Sequence, residues 1–358
     1  MSTTVIATTA ASSPAAMSTT VIATTAASSK NFLVVLGITN FISLTMLRVV
    51  SKSVISFIGI VFNLDLVYIT FRTRSLHGTC NLLIALNALF TAFFEFSHIT
   101  ELIIASAKLN PVPLSHCFWL QLFPLFGANC TIIFILFIGI DRLISIAFPT
   151  WHSRIKIRYY LTTIIGLCFL YSLTMAFITF LVVFQRYPEL GLGCQVSDLY
   201  RDEAKSLIER NNIILNLTTL GCYIGVWILI KRAKGDVSAR LFKSLTAIML
   251  SVFGGWFLFS IATMIIDQFD LVGPTRWYIL FCAGLLQSMS DASHAPILYA
   301  FSVPYRSAFR HQFSQIKAVM FCRKSETNTA VLFLGNSKSL QRSHSLEQHS
   351  TRHHHDKF

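Results

Sequence analysis

Charge is scarce in this chain: only 13% of its 358 residues are charged, whereas 54% are hydrophobic and 31 are phenylalanine. Because a soluble domain carries about 25% charged residues, this composition excludes an ordinary water-soluble protein. The sequence also lacks the ~10-residue alternating segments of a membrane β-barrel. It contains no nucleophile–base set, phosphate-binding loop or metal-ligand spacing of the kinds that enzymes use. We therefore predict a helical membrane protein that is not an enzyme and that needs no cofactor or metal.

Apolar runs close to the ~20 residues that cross a bilayer recur along the chain. We predict seven transmembrane helices at about Ser53–Ile69, Asn81–Ile104, Phe118–Phe148, Leu161–Phe184, Ile213–Ile230, Leu245–Ile266 and Tyr278–Phe301. The loops between them are short, which predicts one all-α bundle over residues 51–303 with no separate soluble domain. A short cytoplasmic amphipathic helix, Pro304–Gln315, is expected to open the last segment, residues 304–358, and the rest of that segment is predicted to be disordered.

Residues 1–50 have an unusual composition at their start. The sequence MSTTVIATTAASS at positions 1–13 occurs again at positions 17–29. A repeat of Ser, Thr and Ala can form no core, so we predict a disordered N-terminal segment over residues 1–50. The segment includes a short apolar stretch at 32–47, which is open to four interpretations: an outward extension of the first helix, a segment that lies on the membrane, a late signal-anchor, or a gene-model error.

Lysine and arginine gather on one side of the predicted helices. Most of the 29 follow the first, third and fifth helices or lie in the tail. The loops after the second, fourth and sixth helices hold only Lys108, Arg186, Arg201, Lys205, Arg210 and Arg276. This bias predicts a multi-pass protein of the plasma membrane with its N-terminus outside and its C-terminus in the cytoplasm. The net charge of +13 then reflects contact with membrane lipid, and no nucleic-acid partner is predicted.

Only two of the eight cysteines, Cys117 and Cys194, fall on predicted outer loops. Disulfides persist outside the cell, so these two are expected to bond. The bond would pin the loop Gln185–Ser206 over the end of the third helix. Because this loop has little apolar content, we expect few contacts of its own to order it, and the crosslink to do so instead.

Asp141 and Arg142 stand at the inner end of the third apolar run, 24 residues after Cys117. That length of helix is about 36 Å, so the cysteine and the charged pair are predicted at opposite membrane faces. Adjacent charges at the edge of a membrane segment are costly unless they have a function. An ordinary ion pair at a helix end is the alternative explanation for these two residues taken alone.

Taken together, these features resemble a rhodopsin-like G-protein-coupled receptor over about residues 53–316. The motifs that carry the resemblance are Asn63, Cys117, Asp141-Arg142-Leu143 with Pro149, and Ala295-Pro296-Ile297-Leu298-Tyr299. The segment FSVPYRSAF, which follows Tyr299, is most similar to the corresponding segment of the nematode serpentine chemoreceptors of the Srsx class. Leu143, Ala295 and Thr91 depart from the usual receptor pattern.

The resemblance implies a small-molecule ligand, a heterotrimeric G protein and arrestin as partners. It assigns switching and G-protein coupling to Asp141, Arg142, Pro149, Tyr223, Pro296 and Tyr299. It assigns ligand binding to Pro124, Ala128, Asn129, Trp256, Phe259, Ser260, Thr263, Phe281, Leu285 and Met289. These residues are mostly apolar and aromatic, which predicts a lightly polar odorant or pheromone as ligand.

Ionisable residues inside the predicted spans are expensive and are usually functional. Asp65, Glu95, Asp291 and His294 fall there, and Asn63 and Asn87 offer them neutral partners. We predict a polar network between the first, second and seventh helices, with Asn63 and Asp291 as members.

Two other classes of membrane protein stay open. A transporter would require inverted repeats and broken helices, neither of which is visible in the sequence. A ligand-gated channel subunit of seven helices would place its N-terminus inside the cell, against the observed bias of lysine and arginine.

Overall fold

The computed structural model describes residues 45–233, 254–271, 273–315 and 317. Within these residues, five helices are long and apolar enough to cross a bilayer. They are α1 (Thr45–Arg72), α2 (Thr79–Ser106), α3 (Leu114–Ala147), α4 (Ile157–Arg186) and α5 (Asp202–Ala233). They are followed by α6 (254–268), α7 in two segments (Gly273–Ala292 and His294–Phe301) and α8 (303–315). Short helical turns lie at Arg74–Leu76, Pro149–His152 and Val196–Leu199. The prediction of an all-α fold is confirmed.

Two helices begin at least eight residues earlier in the chain than hydropathy predicted. α1 begins by Thr45 rather than at Ser53, so it starts before residue 51, where the bundle was expected to begin. α5 begins at Asp202 rather than at Ile213. The added part of α1 contains Arg48 and Lys52, and that of α5 contains five charged residues, which a hydropathy window excludes although the helical backbone continues through them. Residues 1–44, with most of the predicted apolar stretch 32–47, lie outside the described residues.

The third helix runs through the middle of the bundle and packs against α2, α4 and α5. Its buried face includes Leu125, Phe134 and Ile138. Phe134 stacks on Phe90 of α2 with ring centroids 5.4 Å apart. Large apolar side chains on the outer surface of the bundle, such as Leu170 of α4, are exposed. Apolar side chains at such positions are expected to face lipid.

The helices α2 and α3 come closest at Gly127. A Cβ atom built there would lie 2.7 Å from the Phe90 carbonyl oxygen, 2.8 Å from the Phe94 nitrogen and 2.9 Å from the Phe93 Cβ. Two of these three atoms belong to the backbone and cannot move aside by a rotamer change. Glycine at this position is therefore a packing requirement, as is common where membrane helices approach closely.

The predicted disulfide is confirmed: Cys117 and Cys194 are bonded, with Cα atoms 5.4 Å apart. Strand β1 (Val112–Pro113) pairs antiparallel with strand β2 (Gly191–Leu192) beside it. The turn Val196–Leu199 is closed by a capping box between Gln195 and Asp198. The expectation that this loop lacks contacts of its own is wrong, because backbone pairing and the buried Val196 and Leu199 also order it.

The last helix, α8, is attached to α1. The hydroxyl groups of Tyr305 and Thr70 lie 3.3 Å apart, and Gln312 Nε2 donates a hydrogen bond to Asp65 Oδ1 at 2.7 Å. Tyr305 and Phe309 are buried, whereas Arg310 is exposed. The helix is therefore amphipathic, as the sequence predicted for Pro304–Gln315.

We expect Gly127→Ala to lower the midpoint of thermal unfolding of the purified protein. Overpacking typically costs about 1–3 kcal/mol, which exceeds the ~1 kcal/mol that alanine gains over glycine in a helix. The matched control is Gly166→Ala on α4, where nothing lies within 4 Å of the added Cβ. This control should leave the midpoint unchanged or raise it, and equal effects of the two variants would contradict the packing argument.

We expect Cys117→Ser and Cys194→Ser to lower the unfolding midpoint equally, and the double variant to be no worse than either single. The crosslink joins residues 77 positions apart, and such bonds typically contribute about 2–4 kcal/mol to the free energy of unfolding. Cys282→Ser removes an exposed free cysteine and serves as the control. Additive losses in the double variant would show that the two sulfur atoms act separately.

Candidate functional site

A cavity of about 400 Å³ opens beneath the disulfide-bonded loop. Six of the residues predicted to bind ligand line it, namely Ala128, Asn129, Trp256, Phe259, Ser260 and Thr263. The rings of Trp256 and Phe94 lie 5.2 Å apart and together form part of the wall. The α3 and α6 faces assigned from the resemblance therefore do meet at one cavity.

The predicted α7 residues are not among the described residues that line the cavity. Of the described α7 residues, it is Arg276, Leu280 and Gln287 that line the cavity. Met289 is 57% exposed, and Phe281 stacks on Trp277 with ring centroids 5.1 Å apart. The predicted residues Phe281, Leu285 and Met289 lie on a different face of the helix from the lining pair Leu280 and Gln287. Each residue turns a helix by about 100°, so a small error in position is enough to move a side chain off the cavity wall. Pro124 is buried within α3 and is likewise not among the described lining residues.

The lining is more charged than the resemblance implied. Besides the aromatic wall, the cavity is bordered by Arg48 and Lys52 of α1, Asp198 of the loop, and Glu209 of α5. These residues were missed because the loop folds down onto the bundle and because α1 and α5 extend beyond their apolar stretches. Burial raises the pKa of the Asp198 carboxyl, and the backbone N–H of Gln195, which donates to it at 3.0 Å, partly offsets that rise.

A buried polar network lies below the cavity and is organised by Asn63. Its Nδ2 donates to Glu95 Oε2 at 3.1 Å and to the Asp291 carbonyl at 3.0 Å. Its Oδ1 lies 3.2 Å from His294 Nδ1. The backbone of α1 leaves room for this arrangement, since a Cβ on Gly59 would overlap the Glu95 carboxylate. The structure thus brings Asn63 and Asp291 together, with Glu95 and His294 beside them.

Trp256 connects the cavity to this network. Its indole Nε1 donates to Asp291 Oδ1 at 2.9 Å, and both residues are buried. The same indole lines the cavity. Asp65 and Asn87, which were also considered for the network, lie elsewhere: Asp65 bonds α8, and Asn87 Oδ1 has no partner among the described residues.

At the opposite end of α3 the buried carboxylate of Asp141 has an unexpected partner. His152 Nε2 lies 3.0 Å from Asp141 Oδ1, whereas Arg142 Nε lies 4.0 Å from Asp141 Oδ2. His152 belongs to the turn that Pro149 begins. Although Arg142 is the next residue in the chain, the closer contact of the Asp141 carboxylate is to the histidine. No pattern in the sequence predicts this contact. His152 lies in a short turn after α3, and the position of that turn relative to Asp141 does not follow from helical periodicity.

Among the described residues, none of the other predicted switch residues forms a hydrogen bond with the Arg142 side chain. Tyr223 is buried, and its hydroxyl has no hydrogen-bond partner among the described residues. The Tyr299 ring packs edge-on against Phe309 at 6.0 Å, and Pro296 is exposed in the second segment of α7. The buried Tyr223 hydroxyl can therefore accept a hydrogen bond from a new donor.

We expect Asn63→Ala to lower the midpoint of thermal unfolding more than Asn87→Ala does. The first substitution removes hydrogen bonds to α2 and α7 and leaves buried polar groups unsatisfied, at about 1–3 kcal/mol for each group. The second removes an equally buried carboxamide whose oxygen is already without a partner in the described structure. Equal decreases in the midpoint would mean that the hydrogen bonds of Asn63 add nothing to the stability beyond the packing of its side chain.

Comparison with known proteins places this geometry in a family. A solved structure with a similar fold is the crystal structure of squid rhodopsin, with a TM-score of 0.56 and 16% sequence identity over 77% of this chain and 87% of that chain. At this identity the likeness concerns the fold. No curated protein sequence matches the chain. The family model for the serpentine type 7TM GPCR chemoreceptor Srsx matches residues 56–313. The chain is therefore a multi-pass membrane protein that belongs to the Srsx family of serpentine chemoreceptors.

Proposed function

We propose that this protein is a chemosensory receptor that binds a small molecule in the cavity and activates a heterotrimeric G protein at the Arg142 end. Membership of a family of G-protein-coupled chemoreceptors supports the class. The observation that carries the proposal is the position of Trp256, which lines the cavity and also donates to Asp291. A ligand that moves the indole must change a buried hydrogen bond between α6 and α7.

In the membrane, we assign the disulfide end to the outside and the Arg142 end to the cytoplasm. The bias of lysine and arginine supports this orientation, as does the disulfide, which is stable in an oxidising compartment. The exposed Arg310 on α8 would then face the anionic lipid of the inner leaflet. We propose the plasma membrane as the location, because a chemoreceptor must meet its ligand there.

Switching is proposed to follow the network towards the G protein. When α6 moves outward, the Arg142 guanidinium can leave the vicinity of Asp141 and donate to Tyr223, whose hydroxyl has no hydrogen-bond partner among the described residues. Asp141 would retain His152 as its partner, so the departure of Arg142 leaves no isolated buried charge. Pro296 and Tyr299 lie in the second segment of α7, where Tyr299 contacts Phe309 of α8, and can adjust with that segment.

The two ends of the bundle are then thermodynamically linked. The ligand and the G protein both favour the open packing, so each raises the affinity of the receptor for the other. We also propose that arrestin binds the phosphorylated tail. Its candidate phosphorylation sites, such as Ser343 and Ser345, lie outside the described residues.

We expect Arg142→Ala to reach the cell surface and to bind agonist, yet to lose agonist-driven G-protein activation. The guanidinium is always charged and presents five donors in a plane, which alanine cannot replace. Arg154→Ala is the matched control, since Arg154 is an exposed cation of the loop that follows α3. The measurement is G-protein activation in cells that carry a promiscuous G protein and are exposed to a ligand panel. Full signalling by Arg142→Ala would rule out the proposed role.

A further inference from the structure

The first helix brings a lysine into the cavity. Lys52 is only 8% exposed and belongs to the cavity lining. It lies about 10 Å along α1 from Thr45. Its side chain reaches α7, because a Cβ built on Gly284 would lie 3.2 Å from the Lys52 Nζ and 3.3 Å from its Cε. The ammonium group is therefore held between α1 and α7 at the wall of the cavity.

Within the described part of the chain, this ammonium group has no counter-charge in contact with it. Among the described residues, no carboxylate forms an ion pair with Lys52 within the 4.0 Å limit that defines one. Each neighbouring acid is hydrogen-bonded to another group through one oxygen: Glu101 Oε1 accepts from Gln195 Nε2 at 2.7 Å and from Arg48 at 3.4 Å. Asp291 Oδ1 accepts from Trp256. A buried charge is costly unless it is paired and hydrogen-bonded.

The rest of the cavity offers what a small amphiphilic molecule needs. Phe94, Trp256 and Phe259 supply an aromatic wall, and Gln287 and Asn129 place carboxamides in the lining. A volume of about 400 Å³ suits a small organic molecule. Arg276, an exposed cation, also borders the cavity. An exposed cation at this border attracts anions towards the opening.

We propose that the ligand is a small organic carboxylate whose head group binds the Lys52 ammonium and whose apolar body packs on the aromatic wall. The inference rests on the proposed function in one respect, namely that this cavity is the ligand site. A carboxylate ligand would supply the negative charge that no described residue places in contact with Lys52. Hydrogen bonds between an ammonium and a carboxylate are roughly twice as strong as neutral ones.

A different role for Lys52 would be purely structural. Its charge could offset, at longer range, those of Glu101, Asp198 and Asp291, which act on it electrostatically. In that case, loss of the charge would lower stability and weaken the binding of neutral and anionic ligands alike. Selective loss of anion binding distinguishes recognition from this structural role.

The test uses the purified full-length receptor in lipid nanodiscs without G protein. Binding is measured from the shift in thermal unfolding on titration with hexanoate, hexanamide and hexylamine, and with 3-phenylpropanoate and its amide, at neutral pH. We expect each carboxylate to bind at least tenfold more tightly than its amide, which corresponds to about 1.4 kcal/mol. Lys52→Gln should reduce this preference to within about twofold while leaving the affinity for the amides unchanged.

Two further variants make the test independent of the folding of Lys52→Gln. Gly284→Ala retains the charge but crowds Nζ, so the preference for carboxylates should fall at least threefold. Lys108→Gln removes a lysine outside the cavity lining and should leave the preference intact. Equal binding of amide or amine in the wild-type protein, no binding of either carboxylate, or a uniform loss in Lys52→Gln would overturn the inference.

The outcome also separates this inference from the proposed function, because the binding measurement needs no G protein. Carboxylate preference without G-protein activation in cells would support the inference and contradict the proposed function. Activation by neutral or cationic ligands alone would support the proposed function and overturn the inference.

Discussion

Polar groups that are buried in a bilayer have no water to bond, so they must satisfy one another, and Asn63 does this for three helices. Its carboxamide bonds Glu95 of α2 and both Asp291 and His294 of the α7 region. Each of these bonds has a narrow range of allowed distance and direction. The side chain of Asn63 thus constrains the relative positions of α1, α2 and α7. This arrangement positions the cavity, which lies on one side of the network, and the Arg142 end of the bundle, which lies on the other.

The network also makes the receptor suitable for switching. Apolar packing tolerates small shifts, whereas a buried hydrogen bond is either made or lost at considerable cost. Trp256 shares its indole N–H with Asp291 at the boundary between the cavity and the network. A small displacement of the indole therefore becomes a discrete change in polar pairing. Such a two-state element is what coupling between distant sites requires.

The sequence predicted much of this molecule because several signals agreed. Apolar runs located the helices, and the topology identified Cys117 and Cys194 as partners. The motif around Asp141 and Arg142 indicated the family. Hydropathy could not show that α1 and α5 continue as polar helices, so the charged border of the cavity was missed. A lysine near the start of the first span, Lys52, was visible in the sequence, but its contact with α7 depends on tertiary packing.

The α7 face and the partner of Asp141 illustrate a second limit. Helical register converts an error of one residue into a rotation of about 100°, so Leu280 rather than Phe281 reaches the cavity. His152 approaches Asp141 through a turn whose path depends on Pro149 and on packing against α3. Neither outcome follows from residue types or spacing. Both depend on where the backbone lies in three dimensions.

The attachment of α8 to α1 bears on how motion in this protein can be followed. Tyr305 contacts Thr70, and Gln312 bonds Asp65, so α8 is attached to a helix other than the one that precedes it. Neither contact involves a residue of α6. A spectroscopic label on the exposed side of α8 is therefore tied to α1. Distances measured from that label to α6 would report the displacement of α6 relative to α1.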